Sequence, residues 1–247
     1  MARRALLACS ALAATLLIAP AARANDWQFS VTPYLWLAGL DGKFANTSAL
    51  PTIHVDESFG DILDTVQFAF TGKFEARHGP FGLLGDIEYT DVGAHQDLTG
   101  SFFSHAEIGS KTVIGAGAIA YRFFEYGGAS ADVLAGARVT WANTDITLGD
   151  AGGDVASTST DKTWGDAYIG VRGVLPVSAH WSLSGYGDIG AGYSDYTWQA
   201  YAAANYTFSN GVVLSGGYRV YDDDYDDDGY IYDVTESGFL LGGTFNF

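Results

Sequence analysis

The sequence predicts an all-β chain, folded as a single antiparallel up-and-down barrel of about ten strands that crosses a membrane. Three observations predict it. Segments of about ten residues alternate apolar and polar side chains along most of the chain, the pattern of strands with one face on lipid and the other on a lumen. Charged residues make up 17% of the chain, against about 25% in soluble domains, while aromatics reach 15% and glycines number 32. No stretch beyond the amino-terminal region has the roughly 18 consecutive apolar residues of a membrane helix.

The amino-terminal region reads as an export signal. Arg3 and Arg4 precede an apolar run from Ala5 to Ala19, and Ala22-Arg23-Ala24 supplies a small-x-small cleavage site. Residues 1–24 are therefore expected to be removed, leaving residues 25–247 as the barrel domain. A lipoprotein signal ending at Cys9 is a poorer reading, because the apolar run continues well past that residue. Cys9 is the one cysteine, so the mature chain has neither a disulfide framework nor a thiolate metal site. The chain carries 29 acidic against 12 basic residues, a formal charge of -17. That excludes nucleic acid as a partner, since phosphate binding needs a basic face.

Ten segments carry the alternation. The first, 27–39, sets Trp27, Phe29, Val31, Leu35 and Leu37 against Gln28, Ser30, Thr32, Tyr34 and Trp36. The second, 67–77, turns Phe68, Phe70 and Phe74 outward, and the turn His78-Gly79-Pro80 leads to the third, 81–91, with Phe81, Leu83, Ile87 and Tyr89 outward. The fourth, 107–124, breaks phase between Ile114 and Ile119, which predicts a bulge at Gly115–Gly117. The fifth to eighth follow at 131–142, 164–175, 180–193 and 198–208. Ser209-Asn210-Gly211 is a hairpin turn before the ninth, 212–221, and the tenth runs 233–247. Eight or twelve strands are also compatible with the pattern, because the loop after the first strand is long. Within that loop Ser58–Thr65 suits a helical turn capped by Asp56 or Ser58.

Connections alternate between short turns and longer polar loops, which puts both termini on the periplasmic side of an outer membrane. Aromatics collect near both strand ends: Trp27, Phe81, Phe123, Trp181, Phe208 and Phe247 at one, Tyr89, Trp141, Trp198 and Tyr218 at the other. These are expected interfacial girdles. The chain ends with Phe239, Leu241, Gly243, Phe245 and Phe247 on one face. Phe245 and Phe247 look like the carboxy-terminal signal read by barrel-assembly machinery, an expected partner during biogenesis.

The stretches Trp27–Leu37, Val55–Ala76, Tyr168–Gly173, Trp181–Gly187, Gly217–Tyr221 and Tyr232–Thr235, with the Phe-ending tail, resemble a family of uncharacterised proteobacterial outer-membrane barrels, related in form to OmpA-type barrel domains. The resemblance implies the barrel and its location and brings no activity.

Parity turns Lys73, Arg77, Arg138, Arg172 and Arg219 inward, together with Glu75, Asp86, Glu88, Asp132, Asp166, Asp188 and Glu236. A barrel of this size is just wide enough to be filled by side chains, so inward charges need partners. The leading expectation is a structural, surface-interacting barrel with its lumen plugged by this network and its loops against lipids and lipopolysaccharide. The alternative is a narrow ion- or solute-conducting channel. The run Asp222–Asp228 is expected in the loop after the ninth strand. There Asp224, Asp226 and Asp228 match the start of a calcium loop, whose closing position falls on Thr235 rather than an acid. The expectation is no cofactor, with weak surface Ca²⁺ or Mg²⁺ as the one candidate. Gly115-x-Gly117-x-x-Ala120 lacks the following helix of a dinucleotide site. A surface hydrolase is a distant reading resting on His95 and His105 near Asp91, Asp97, Ser104 and Glu107. Neither G-x-S-x-G nor H-E-x-x-H occurs.

Overall fold

The alternating segments fold as eleven strands: β1 (Trp27–Ala45), β2 (Ile53–Glu57), β3 (Phe68–His78), β4 (Phe81–Asp97), β5 (His105–Tyr126), β6 (Ala129–Asp150), β7 (Gly153–Pro176), β8 (Trp181–Gly192), β9 (Tyr196–Thr207), β10 (Val213–Asp227) and β11 (Tyr230–Asn246). The computed structural model describes residues 27–45, 52–60, 68–97, 103–150 and 153–247. The segment read as a signal lies outside them. From β3 onward neighbours in sequence are neighbours in the sheet, all antiparallel, and β11 returns to β1 through a register running from Ser30↔Asn246 to Ala45↔Ile231. β3 pairs with Trp27–Tyr34 of β1, and β2 pairs with Leu40–Phe44 further along the same edge. The two segments thus share one position in the wall, and ten strands close the barrel. Closure leaves no free edge along the lower wall, where all ten positions pair on both sides.

Large apolar side chains face outward and stay exposed, among them Leu35, Phe70, Ile119, Ile169, Ile189 and Phe239. They form the lipid-facing belt. Short connections, such as Gly79-Pro80 and Gly127-Gly128, lie at the end that also holds Trp27 and Phe247. We refer to this as the lower end. Phe29 and Phe247 exchange backbone hydrogen bonds of 2.8 and 3.3 Å, so both ends of the barrel chain meet there.

The upper end departs from expectation. Regions read as long loops continue as paired strands: β6 and β7 stay paired from Ser130↔Val174 to Asp150↔Gly153. The acidic run is strand up to Asp227, and only Asp228 and Gly229 turn, with φ of 52° and 84°. Two consecutive left-handed residues make the turn type whose twist suits a hairpin. The expected loop after β1 contains β2, so Asp56 is a strand residue rather than a cap. Helical residues begin at Phe59, and the rest of that predicted turn lies outside the described residues. The bulge falls between Arg122 and Phe124 instead of at Gly115–Gly117. Ile114 simply faces inward, where it is buried, so no phase change was needed there. Inside the raised upper wall sits an apolar core that includes Phe44, Ile53, Ile146, Leu148, Trp164 and Tyr232.

Inward glycines stand opposite the bulkiest lumenal side chains. Gly82 pairs with Arg77, Gly136 with Tyr168, Gly170 with Asp188 and Gly238 with Arg219. A small residue facing a large one is how a narrow lumen is filled without overlap. At Gly238 a Cβ would lie 2.0 Å from the Leu37 carbonyl oxygen of the closing strand, whereas at outward Gly243 its nearest neighbour would be the Phe245 ring at 3.9 Å. Gly238→Ala is therefore expected to lower the temperature at which the compact, fast-migrating band disappears in heat-modifiability gels by about 5 °C or more. Gly243→Ala is expected to leave it unchanged.

Candidate functional site

The lumen holds three layers of side chains. In the lowest, Asp132 of β6 is the hub. Its oxygens accept from Arg77 Nη2 at 2.6 Å, Arg172 Nε at 2.8 Å and Arg122 Nε at 3.0 Å. Glu75 takes the other side of Arg172, with Nη1 and Nη2 at 2.8 and 2.6 Å, and Arg77 Nε at 3.0 Å. Two carboxylates thus hold three guanidiniums through bidentate and charge-assisted bonds, the strongest hydrogen-bond class available.

The middle layer joins cations to aromatic faces. Arg138 Nη2 lies 2.9 Å from both oxygens of Asp188, and Nη1 donates to Thr197 Oγ1 at 2.9 Å. Its guanidinium sits between the rings of Tyr168 and Tyr221, 5.1 and 5.2 Å from their centroids. Arg219 Nη2 meets Glu88 at 2.6 Å, Nη1 donates to Tyr34 OH at 3.2 Å, and the guanidinium lies 4.3 Å from the Trp36 ring. Tyr34 OH donates in turn to Asp86, which Lys73 approaches to 3.7 Å. Lys73 also rides over Tyr201, which stacks on Tyr186. Such cation–π contacts strengthen when desolvated. Arg138 and Arg219 are each 1% exposed.

Above them Trp164, 2% exposed, donates its indole N–H to Asp223 at 3.1 Å and stacks on Tyr225 with centroids 4.3 Å apart. Tyr221 OH donates to the same Asp223 oxygen at 3.0 Å. Ser194, in the β8–β9 turn, contacts both Asp223 and Asp166. This layer merges with the apolar core of the upper wall.

Of the side chains read as inward charges, Lys73, Glu75, Arg77, Asp86, Glu88, Asp132, Arg138, Arg172, Asp188 and Arg219 thus come together as ion pairs. Asp166 is held by a serine rather than a cation. Glu236 shares the inward face of β11 with Val234 and Leu240, and no described cation reaches it within ion-pair distance. Sequence reasoning missed Arg122, although it keeps the inward parity of Ile114 and Ala120 up to the bulge that follows it, and Asp223, hidden in the acidic run. Ser194 had no signal beyond its place in a turn.

The acidic run alternates faces. Tyr221, Asp223 and Tyr225 are buried, while Asp226 and Asp227 are exposed. Asp227 bonds to Lys162 at 2.7 Å, which holds its carboxyl below the usual carboxylate range. Asp222 accepts from Thr235 at 2.5 Å. With strand geometry dividing Asp224 and Asp226 from the turn residue Asp228, no three acidic, histidine or cysteine side chains among the described residues converge as a metal site. Ser104 Oγ lies 3.2 Å from His105 Nδ1 and donates to the Gly149 carbonyl at 3.3 Å. The Ser104 hydroxyl proton thus has two competing acceptors, the imidazole and a backbone carbonyl. His95 has a side chain outside the described residues.

No protein-family model matches the chain, and no curated protein matches it. Solved structures do. The outer-membrane protease OmpT from Escherichia coli superimposes with a TM-score of 0.52 at 9% identity, covering 90% of this chain and 97% of that one. The attachment invasion locus protein Ail of Yersinia pestis gives 0.39 at 13% identity, covering 91% and 100%. A major outer membrane protein from Thermus thermophilus gives 0.41 at 13%, covering 90% and 99%. The OmpT likeness shows the fold: this chain is built as a closed antiparallel β-barrel of that kind.

Arg138 and Asp188 are buried together, so removing one strands the other. Arg138→Ala is expected to destabilise the refolded barrel by about 3–5 kcal/mol, read as the urea midpoint in micelles. Joined to Asp188→Asn it is expected to cost less than the sum of the two single changes.

Proposed function

We propose that the chain is an integral outer-membrane barrel with a structural, surface-interacting role and a lumen closed to ions. The observation that carries this reading is the buried layer of Arg138, Arg219 and Tyr221, none more than 1% exposed, beneath an apolar core that begins with Trp164. Lys73 is 28% and Asp86 20% exposed at the edge of the middle layer, while Arg138 and Arg219 beside them are almost wholly buried. In this reading the lower end, with its short turns and chain ends, faces the periplasm, and the raised upper wall meets lipopolysaccharide outside. Phe245 and Phe247 would serve as the assembly signal. The protease activity named for OmpT is that protein's own. The Ser104 hydroxyl is shared between His105 and the Gly149 carbonyl, which supports a non-enzymatic role.

The partly exposed Lys73–Asp86 pair favours one second reading, a gated pore opened by displacement of the buried layer beside it. Planar-bilayer recording of the refolded protein separates the two. Silence at all salt concentrations is expected from a barrel whose folded state is confirmed by heat-modifiable migration. Discrete ohmic steps with ion selectivity would replace the plugged barrel with the pore.

A further inference from the structure

We propose that Asp166 and Asp223 share one proton through the Ser194 hydroxyl, and that this bridge is a pH-dependent latch holding the β8–β9 turn in the upper mouth of the barrel. Ser194 Oγ lies 2.9 Å from Asp166 Oδ2 and 2.7 Å from Asp223 Oδ1. A hydroxyl has one proton to donate and lone pairs to accept. Both contacts are favourable only if one carboxyl carries a proton and donates it to the serine oxygen.

The surroundings select which one. Asp166 Oδ1 accepts the Ser194 backbone N–H at 2.9 Å, leaving its Oδ2 to accept the serine proton as a carboxylate. Asp223 Oδ2 already accepts from Trp164 and Tyr221, so Oδ1 carries the shared proton toward Ser194. Asp166, Ser194 and Asp223 are all buried, and an ionised pair without a cation is costly there. The described lumenal cations are committed elsewhere. On β6, Arg138 is bonded to Asp188 of β8 and Thr197 of β9. Lys73, Arg77, Arg122, Arg172 and Arg219 hold Asp86, Glu75, Asp132 and Glu88. The other titratable groups facing Asp223 are Tyr221 of β10, Tyr230 and Tyr232 of β11, and Asp166 itself, with Glu236 adjoining Tyr232. None offers a positive charge.

Asp223 and Ser194 lie beyond the lipid-facing belt, whose outward residues on β10 end with Leu214 and Tyr218. Burial pushes the Asp223 carboxyl up to about 6. With an unfolded value of about 3.9, the raised carboxyl favours the latched state below that range and the contribution is lost as pH rises through about 6. Above it two carboxylates compete for one hydroxyl proton, and the turn is released.

The test reads turn mobility and so does not depend on whether the lumen conducts. The segment 25–247 has no cysteine, so Tyr193→Cys, at a highly exposed turn position, takes a single nitroxide label on the refolded chain. Between pH 5 and pH 8 the spectrum is expected to shift from an immobilised to a mobile component with a midpoint near 6. Asp223→Asn mimics the protonated acid, with its amide donating to Ser194 and its carbonyl accepting from Trp164 and Tyr221. It is expected to keep the turn immobile at both pH values, and Ser194→Ala to leave it mobile at both. Should Asp223→Asn not refold, Asp166→Asn is expected to abolish the pH step in the same way. A label that does not respond to pH, or an asparagine variant that titrates like the parent, overturns the latch.

Discussion

Closure of β11 onto β1 is the constraint on which the rest depends. In hydrocarbon no water pairs with a free backbone N–H or C=O, so a spanning sheet must leave no edge. The register from Ser30↔Asn246 to Ala45↔Ile231 meets that requirement. Closing ten strands then confines every inward side chain to a narrow cylinder. Glycine at 82, 136, 170 and 238 is one consequence, since each gives way to the large residue opposite. Pairing of charges is another, because a cylinder this narrow cannot hydrate each of them separately.

The ion pairs run across the lumen more than along it. Arg172 of β7 reaches Glu75 of β3, Arg219 of β10 reaches Glu88 of β4, and Arg138 of β6 reaches Asp188 of β8. Buried pairs of this kind add little net stability, since desolvation offsets attraction. What they fix is cross-section: each ties two non-adjacent strands at a set distance, and the barrel keeps one shape. The layers differ in what holds the cations. The lowest layer uses the most guanidiniums per carboxylate, the middle layer sets its cations against tyrosine and tryptophan faces, and the uppermost gives way to an apolar core.

The inward faces were legible in the sequence because strand parity has a period of two. Lys73, Glu75 and Arg77, or Arg138 against Val139, sort themselves by position alone. Their partners were not legible. Arg172 and Glu75 lie 97 residues apart in the chain, and only the closed barrel faces them toward each other. Arg122 escaped although it keeps the inward parity of Ile114 and Ala120 up to the bulge at Phe123, because a lone charge among the outward Tyr121, Phe123 and Phe124 did not stand out. The upper wall escaped for a different reason. Aspartate is a poor strand former and a good turn former, so the run 222–228 read as a loop. Its inward face is nevertheless Tyr221, Asp223, Tyr225, all buried and hidden in the sequence by the acids interleaved with them.

That hidden face locates the seal. If the upper end were made of mobile loops, closure of the lumen would rest on how they happened to fold over. Here the strands carry on past the belt, and Trp164, Tyr225, Tyr230 and Tyr232 fill the space they enclose. The lumen is stoppered by the barrel's own wall. Ser194 enters beside this core from a connecting turn, and it does so between two carboxylates that no described cation reaches. Hence the place where the stopper depends on protonation is also the place where a turn, rather than a strand, completes it.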